Sequence, residues 1–132
     1  MIARDFISHD VPALNCSDNG HKALNIMELF RISHLPIVRD NEYLGLISDK
    51  DLYDLELEST CLSKQKLSLV TPFVFDYQHI FEVAQSVGNF KVSAMPVLDS
   101  NRVYQGLILS AELSERIVGL VAVNEPGAIL VL

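Results

Sequence analysis

Residues 48 to 52 read Ser48-Asp49-Lys50-Asp51-Leu52, directly after the apolar run Tyr43-Leu44-Gly45-Leu46-Ile47. A hydroxyl followed three residues later by a carboxylate, at a predicted helix start, supports two kinds of chemistry. A helix N-terminus offers unpaired N–H groups and the positive end of the helix dipole, so Ser48 can donate to a phosphate while Asp51 accepts from a ribose diol. The same two residues can instead form a capping box, satisfying backbone donors of their own helix without any ligand. Spacing alone leaves both readings open. Asp49 repels a polyphosphate and Lys50 is the lone cation beside it, so a monophosphate, a nucleoside or no nucleotide at all suits the stretch better than ATP.

The elements that must position these groups come just before them. Leu35-Pro36-Ile37-Val38 and Tyr43-Leu44-Gly45-Leu46-Ile47 are apolar runs separated by Arg39 to Glu42. So short a polar turn joins two strands only as an antiparallel hairpin. Ser48 then caps a helix whose first turn holds Asp49 and Asp51, where negative charge is favoured.

The same pattern returns about sixty residues later. Ala94-Met95-Pro96-Val97-Leu98, a turn over Asp99 to Arg102, and Val103-Tyr104-Gln105-Gly106-Leu107-Ile108 form a second copy. At an offset of 60, Pro12 falls on Pro72, Phe30 on Phe90, Pro36 on Pro96 and Ile37 on Val97; after one extra turn residue, Gly45 falls on Gly106, Ile47 on Ile108 and Leu52 on Leu113. Prolines and glycines fix backbone geometry, so their common register indicates a tandem duplication.

Each copy resembles a cystathionine-beta-synthase (CBS) domain, whose pattern is a helix, then H/x-L/M-P-V-V, a turn, G-h-I-T/S-x-x-D-L and a second helix. The first copy carries it as His34-Leu35-Pro36-Ile37-Val38 and Gly45-Leu46-Ile47-Ser48-Asp49-Lys50-Asp51-Leu52. The second keeps Met95-Pro96-Val97 and Gly106-Leu107-Ile108, but has Leu109 in place of the hydroxyl and Glu112 in place of the aspartate. The resemblance implies an α/β (α+β) fold of two β-α-β-β-α repeats related by a pseudo-twofold axis, a Bateman module, with repeats over 1–66 and 67–120. It also implies a ligand cleft holding an adenosine derivative such as AMP, ADP, ATP or S-adenosylmethionine. Ser48, Lys50 and Asp51 are its expected ligand-binding residues, together with His34 and Pro36 and with Val11, Pro12 and Ala13 from the leading segment. With Leu109 and Glu112 in the second copy, at most one good site per module is expected, and a homodimer is the implied assembly.

His34 reads first as a buried, hydrogen-bonded histidine and only second as a cleft contact. For Val11, Pro12 and Ala13 the simpler role is to close the edge of the core. A helix opened by Ser17 or Asp18 carries Ala23, Leu24, Met27 and Phe30 on one stripe, which is core. Leu52, Leu55 and Tyr53 face inward on the helix after the first hairpin. Ser59 to Leu67 is the polar connector between the copies. In the second copy Asp76 caps a helix that Gly88-Asn89 ends, and the last helix runs from about Ala111 to Gly119. Residues 121–132 read as a linker and the start of a further C-terminal domain, where Pro126-Gly127-Ala128-Ile129-Leu130-Val131-Leu132 resembles the first strand of an ACT-type domain.

At 132 residues, one folding unit is expected, and neither half would be comfortable alone. The net charge of −7 argues against a nucleic-acid surface, which needs clustered Lys and Arg. Cys16 and Cys61 have neither C-x-x-C spacing nor a local histidine, so no zinc or redox motif is indicated and free thiols in a cytoplasmic setting are expected. No apolar run approaches the roughly 20 residues that span a bilayer, so no membrane insertion by the module itself is expected. No nucleophile with an adjacent base, metal set or Gly-rich phosphate loop can be found, which argues against an enzyme. A regulatory sensor and a purely structural dimerisation module remain as the two competing functions.

Overall fold

Asn19 supplies the start signal of the first α-helix. In the computed structural model, which describes residues 1–54 and 71–124, its side chain accepts the Lys22 N–H at 3.1 Å and opens α1 (Gly20–Phe30). The cap is thus one residue past Asp18, because Asp18 accepts instead from Asn15 N and Lys22 Nζ. Ala23 and Met27 on the inner stripe are buried, while Leu24 and Phe30 are half-buried. Arg31 ends the helix in the left-handed conformation, with φ 56°.

The first hairpin follows as β1 (His34–Arg39) and β2 (Glu42–Ser48), antiparallel, with His34 opposite Ser48 and Ile37 opposite Gly45. A bulge interrupts the register between Ile37 and Val38, and Gly45 takes φ +156° there. α2 starts at Asp49 and is described to Asp54. Leu52 is fully buried as expected, but Tyr53 is exposed: adjacent helical residues point about 100° apart, so only one of the two can face the core. Leu55 and the connector over Ser59 to Leu67 lie outside the described residues.

The second copy repeats these devices. β3 (Val74–Phe75) runs parallel to β4 (Ala94–Leu98), which pairs antiparallel with β5 (Tyr104–Leu109), giving a three-stranded sheet in the order β3-β4-β5. In the first copy the counterpart of β3 is one parallel bridge, Leu14 to Ile37. α3 (Ile80–Phe90) is capped by His79, whose side chain accepts the Phe81 N–H at 3.1 Å. Asp76 does not cap it; buried, it accepts from Arg4 at 3.2 Å. Gly88-Asn89 does not stop it either, since the left-handed residue is Lys91, φ 53°. The buried face of Ile80, Val83 and Ala84, with Val87 packed beside it, outweighs the roughly 1 kcal/mol that an internal glycine costs. α4 runs from Ser110 to Asn124, longer than Ala111 to Gly119 and including residues 121–124; the ACT-like stretch at 126–132 lies outside the described residues.

The pseudo-twofold axis is visible where equivalent residues meet. Ser33 and Ser93, sixty apart, have hydroxyls 3.4 Å from each other; at the hairpin tips, Glu42 bridges its counterpart Val103. The two cores interleave accordingly. Leu46 of the first copy packs in the core of the second, and its equivalent Leu107 packs in the core of the first.

The leading segment ties the copies together a second time. A 3-10 turn over Ala3–Phe6 lies on the second copy, where Ala3 N donates to Gln78 O and Ser8 N to Leu107 O, both at 2.8 Å. Ala3 and Phe6 are buried there. The crossing chain passes so close to Gly106 that an added Cβ would sit 2.5 Å from Ile7 Cγ2.

Candidate functional site

At the end of β2 the hydroxyl and carboxylate are in hand. Asp51 N donates to Ser48 Oγ at 3.1 Å, and Ser48 N donates to Asp51 Oδ2 at 3.3 Å. The capping box is therefore formed, and the carboxylate keeps its second oxygen. Asp49 turns back on its own helix start: its Oδ1 accepts the Lys50 N–H at 2.7 Å, and its N–H donates to Ser33 O at 2.9 Å. The Lys50 side chain is exposed.

His34 stands across the ladder from Ser48. Its Nδ1 accepts the Ser93 N–H at 3.2 Å and lies 2.9 Å from Ser93 Oγ and 3.2 Å from Ser33 Oγ. Because a backbone N–H can only donate, Nδ1 is an acceptor and the neutral ring carries its proton on Nε2. Burial pushes the His34 pKa below its ordinary value, while the Asp49 and Asp51 carboxylates pull the other way. The histidine thus joins the helix start of one copy to the strand entrance of the other.

The remaining expected residues are placed differently. Pro36 is buried in β1 and its carbonyl accepts the Leu14 N–H at 2.9 Å. Val11 is buried in the first core, Ala13 is half-buried and Pro12 is exposed. These three lead into Leu14, which bridges β1 on the edge away from β2. The structure therefore brings His34, Ser48, Asp49 and Asp51 together, with Pro36 on the same strand, and sets residues 11–13 along the other edge of β1.

In the second copy Leu109 is buried in the first core, and Glu112 is exposed on α4. The position that carries a hydroxyl in copy one is apolar in copy two because it packs across the pseudo-twofold axis. Ser110 N still donates to Ser93 O at 2.9 Å, as Asp49 N does to Ser33 O. The backbone contact is duplicated, whereas the Ser48 hydroxyl is replaced by Leu109 and the Asp51 carboxylate by Glu112. Among the described residues no group of three or more His, Cys, Asp or Glu is placed to hold a metal ion, and no helix is long and apolar enough to cross a membrane.

Two features escaped the reading of the sequence. A cleft of about 230 Å³ between α1 and α2 is lined by Leu24, Met27, Glu28, Ile32, Asp49 and Tyr53. Tyr43 and its equivalent Tyr104 come together near the axis: burial raises the pKa of both, and for Tyr43 the neighbouring Tyr104 adds to the effect. Their matching positions in the two copies, at the offset of 61 that also aligns Gly45 with Gly106, were the signal.

This fold, with a polar helix start at one of its two equivalent positions, is similar to that of CBS domain pairs. Residues 3–58 match the family model of the CBS domain, and the remainder of the described chain repeats that architecture. A CBS domain pair/ACT domain protein from Thermotoga maritima superimposes with a TM-score of 0.77 at 21% identity, covering 92% of this chain and all of that one. CBSX2, solved in complex with AMP, gives 0.74 at 17% identity over 90% of this chain and 97% of that chain. A CBS domain pair solved with 5′-methylthioadenosine and S-adenosyl-L-methionine gives 0.70 at 20% identity over 91% and 98%. By sequence, a homoserine O-acetyltransferase of Methanobrevibacter ruminantium is 23% identical over 117 residues, 88% of this chain. The chain spans about a quarter (24%) of the length of that curated relative.

Proposed function

We propose that this chain is a non-catalytic regulatory module that senses an adenine nucleotide or nucleoside at one cleft, built on Ser48 and Asp51. The observation that carries this reading is the asymmetry between the copies: a hydroxyl and a carboxylate at the start of α2, and a buried Leu109 at the equivalent place before α4. His34 and Pro36 form the wall along β1, exposed Lys50 supplies a cation beside the helix start, and Val11, Pro12 and Ala13 border the base. Structures of like fold that hold AMP, 5′-methylthioadenosine and S-adenosyl-L-methionine support the ligand class. Asp49 beside the phosphate end favours one phosphate or none over three. The repeats divide at 66/67, and the module works as a cytoplasmic homodimer, a state that light scattering after size exclusion measures.

The alternative is a structural dimerisation module without a nucleotide. It draws on the capping box, which already satisfies the backbone donors of Ser48 and Asp51. Melting temperature followed with AMP, ADP, ATP, adenosine and S-adenosylmethionine separates the two. A true ligand at a hundred times its dissociation constant adds about 2.7 kcal/mol, and the absence of a shift with all five retires the sensor.

A further inference from the structure

At the tips of the two hairpins lies a second cleft, of about 300 Å³, lined by Glu42, Tyr43, Thr71, Phe73, Leu98 and Arg102. Glu42 and Ser48 are the two ends of β2, roughly 20 Å apart at the usual rise of an extended strand. The cleft is therefore separate from the helix start that the sensor reading uses.

The protein's own contacts hold its walls. Tyr43 donates its hydroxyl hydrogen to Pro72 O at 2.8 Å, fastening β2 to the segment that enters β3. Phe73 meets Phe75 edge to face, with ring centroids 5.3 Å apart, and the Arg102 guanidinium lies 5.6 Å from the centre of the Phe73 ring. Buried Leu98 completes the apolar part. Glu42 and Arg102 are exposed at the rim, and neither takes part in an ion pair among the described residues.

The duplication supplies an internal control. By the repeat register, Val103 stands for Glu42, Asn41 for Arg102 and Ala13 for Phe73. The fold thus builds the equivalent place with no charge pair and no second aromatic ring, and leaves the Tyr104 hydroxyl buried without a hydrogen-bond partner. Hairpin geometry does not require the acid, the guanidinium or the ring. Together they make an apolar slot with opposite charges at its mouth.

A guanidinium takes a carboxylate in a paired, planar geometry, and a carboxylate takes an ammonium group. The volume is at the small end for ligand clefts, and Glu42 disfavours phosphate. We propose that this cleft binds a free α-amino acid with an apolar or aromatic side chain: Arg102 holds its carboxylate, Glu42 its ammonium, and Tyr43, Phe73 and Leu98 its side chain.

The test is an amide NMR titration of the full chain with L-phenylalanine and L-leucine, beside 3-phenylpropionate and phenethylamine, which each lack one of the two charges. The expected result is saturable shifts at Glu42, Tyr43, Phe73 and Arg102 with at least one of the amino acids. Arg102→Met and Glu42→Gln should each weaken that binding at least tenfold, as should removing either charge from the ligand. Both substitutions are at exposed positions, and unchanged resonances elsewhere establish that the fold is kept. No saturable shift at these residues, shifts confined to Ser48–Asp51, or undiminished binding by either variant overturns the proposal.

Discussion

His34 is the residue on which chemistry and architecture meet. Its Nδ1 accepts hydrogen bonds only while the ring is neutral, and burial holds its pKa below the ordinary 6.5. With the folded value depressed, the unfolded chain takes the proton first as the pH falls, so the sign follows from linkage. Stability attributable to His34 is fully present above pH 6.5 and declines as the pH drops from there through the folded value. Urea unfolding from pH 8 to 5 should show this decline, and His34→Gln should flatten that part of the profile. An unchanged profile in the variant would remove the histidine from the joint between copies. The residue's place at the strand start and its hydrogen-bonded character were legible in the sequence. Its partner was not, because Ser93 lies 59 residues away and only the folded pairing of the two copies brings them together.

At the scale of elements, glycine and the left-handed caps make the sharper statements. Gly106 has φ +152°, and the leading segment crosses directly over it. Gly106→Ala must strain the backbone and displace Ile7, which places the loss at about 1–3 kcal/mol. Denaturant unfolding measures it, and loss of protection at the Ser8 amide would locate it. Lys91 presents the opposite case, an exposed non-glycine residue in the left-handed region. Lys91→Gly should stabilise the protein by roughly 0.5–1 kcal/mol, seen as a higher melting temperature; a lower one would mean that the side chain has a role its exposure does not suggest. The glycines of the two hairpins were readable because both copies keep them in register. The true end of α3 was not, since Gly88 and Asn89 look like a stop until the buried face of the helix is known. The leading segment was harder still: nothing local in residues 1–8 says that they lie on the second copy.

Across the whole molecule, the duplicated chain does not give two independent halves. Leu46 and Leu107 exchange cores, and Ala3 and Phe6 complete the second core from the far end of the chain. Leu46→Ala, a change in the first copy, should therefore cost about 2–5 kcal/mol and lower hydrogen-exchange protection equally at Ile47 and at Val97. Loss confined to the first copy would mean that the halves open separately. The tandem architecture was plain in the spacing of Pro36, Gly45, Pro96 and Gly106, because backbone-determining residues mark the repeat. Which copy keeps a polar helix start was also plain, from Ser48 and Leu109. Why it does so was not, until Leu109 was found inside the other copy's core.

The central claim, one adenosine-type site at the start of α2, is tested most directly by calorimetric titration of AMP into the protein. Binding at one molecule per chain is predicted, abolished by Asp51→Asn and retained by Glu112→Gln; the loss of one cap interaction, worth about 1 kcal/mol, leaves the first variant folded for the measurement. Binding that survives Asp51→Asn, two equal sites per chain, or no heat with AMP or adenosine would contradict it.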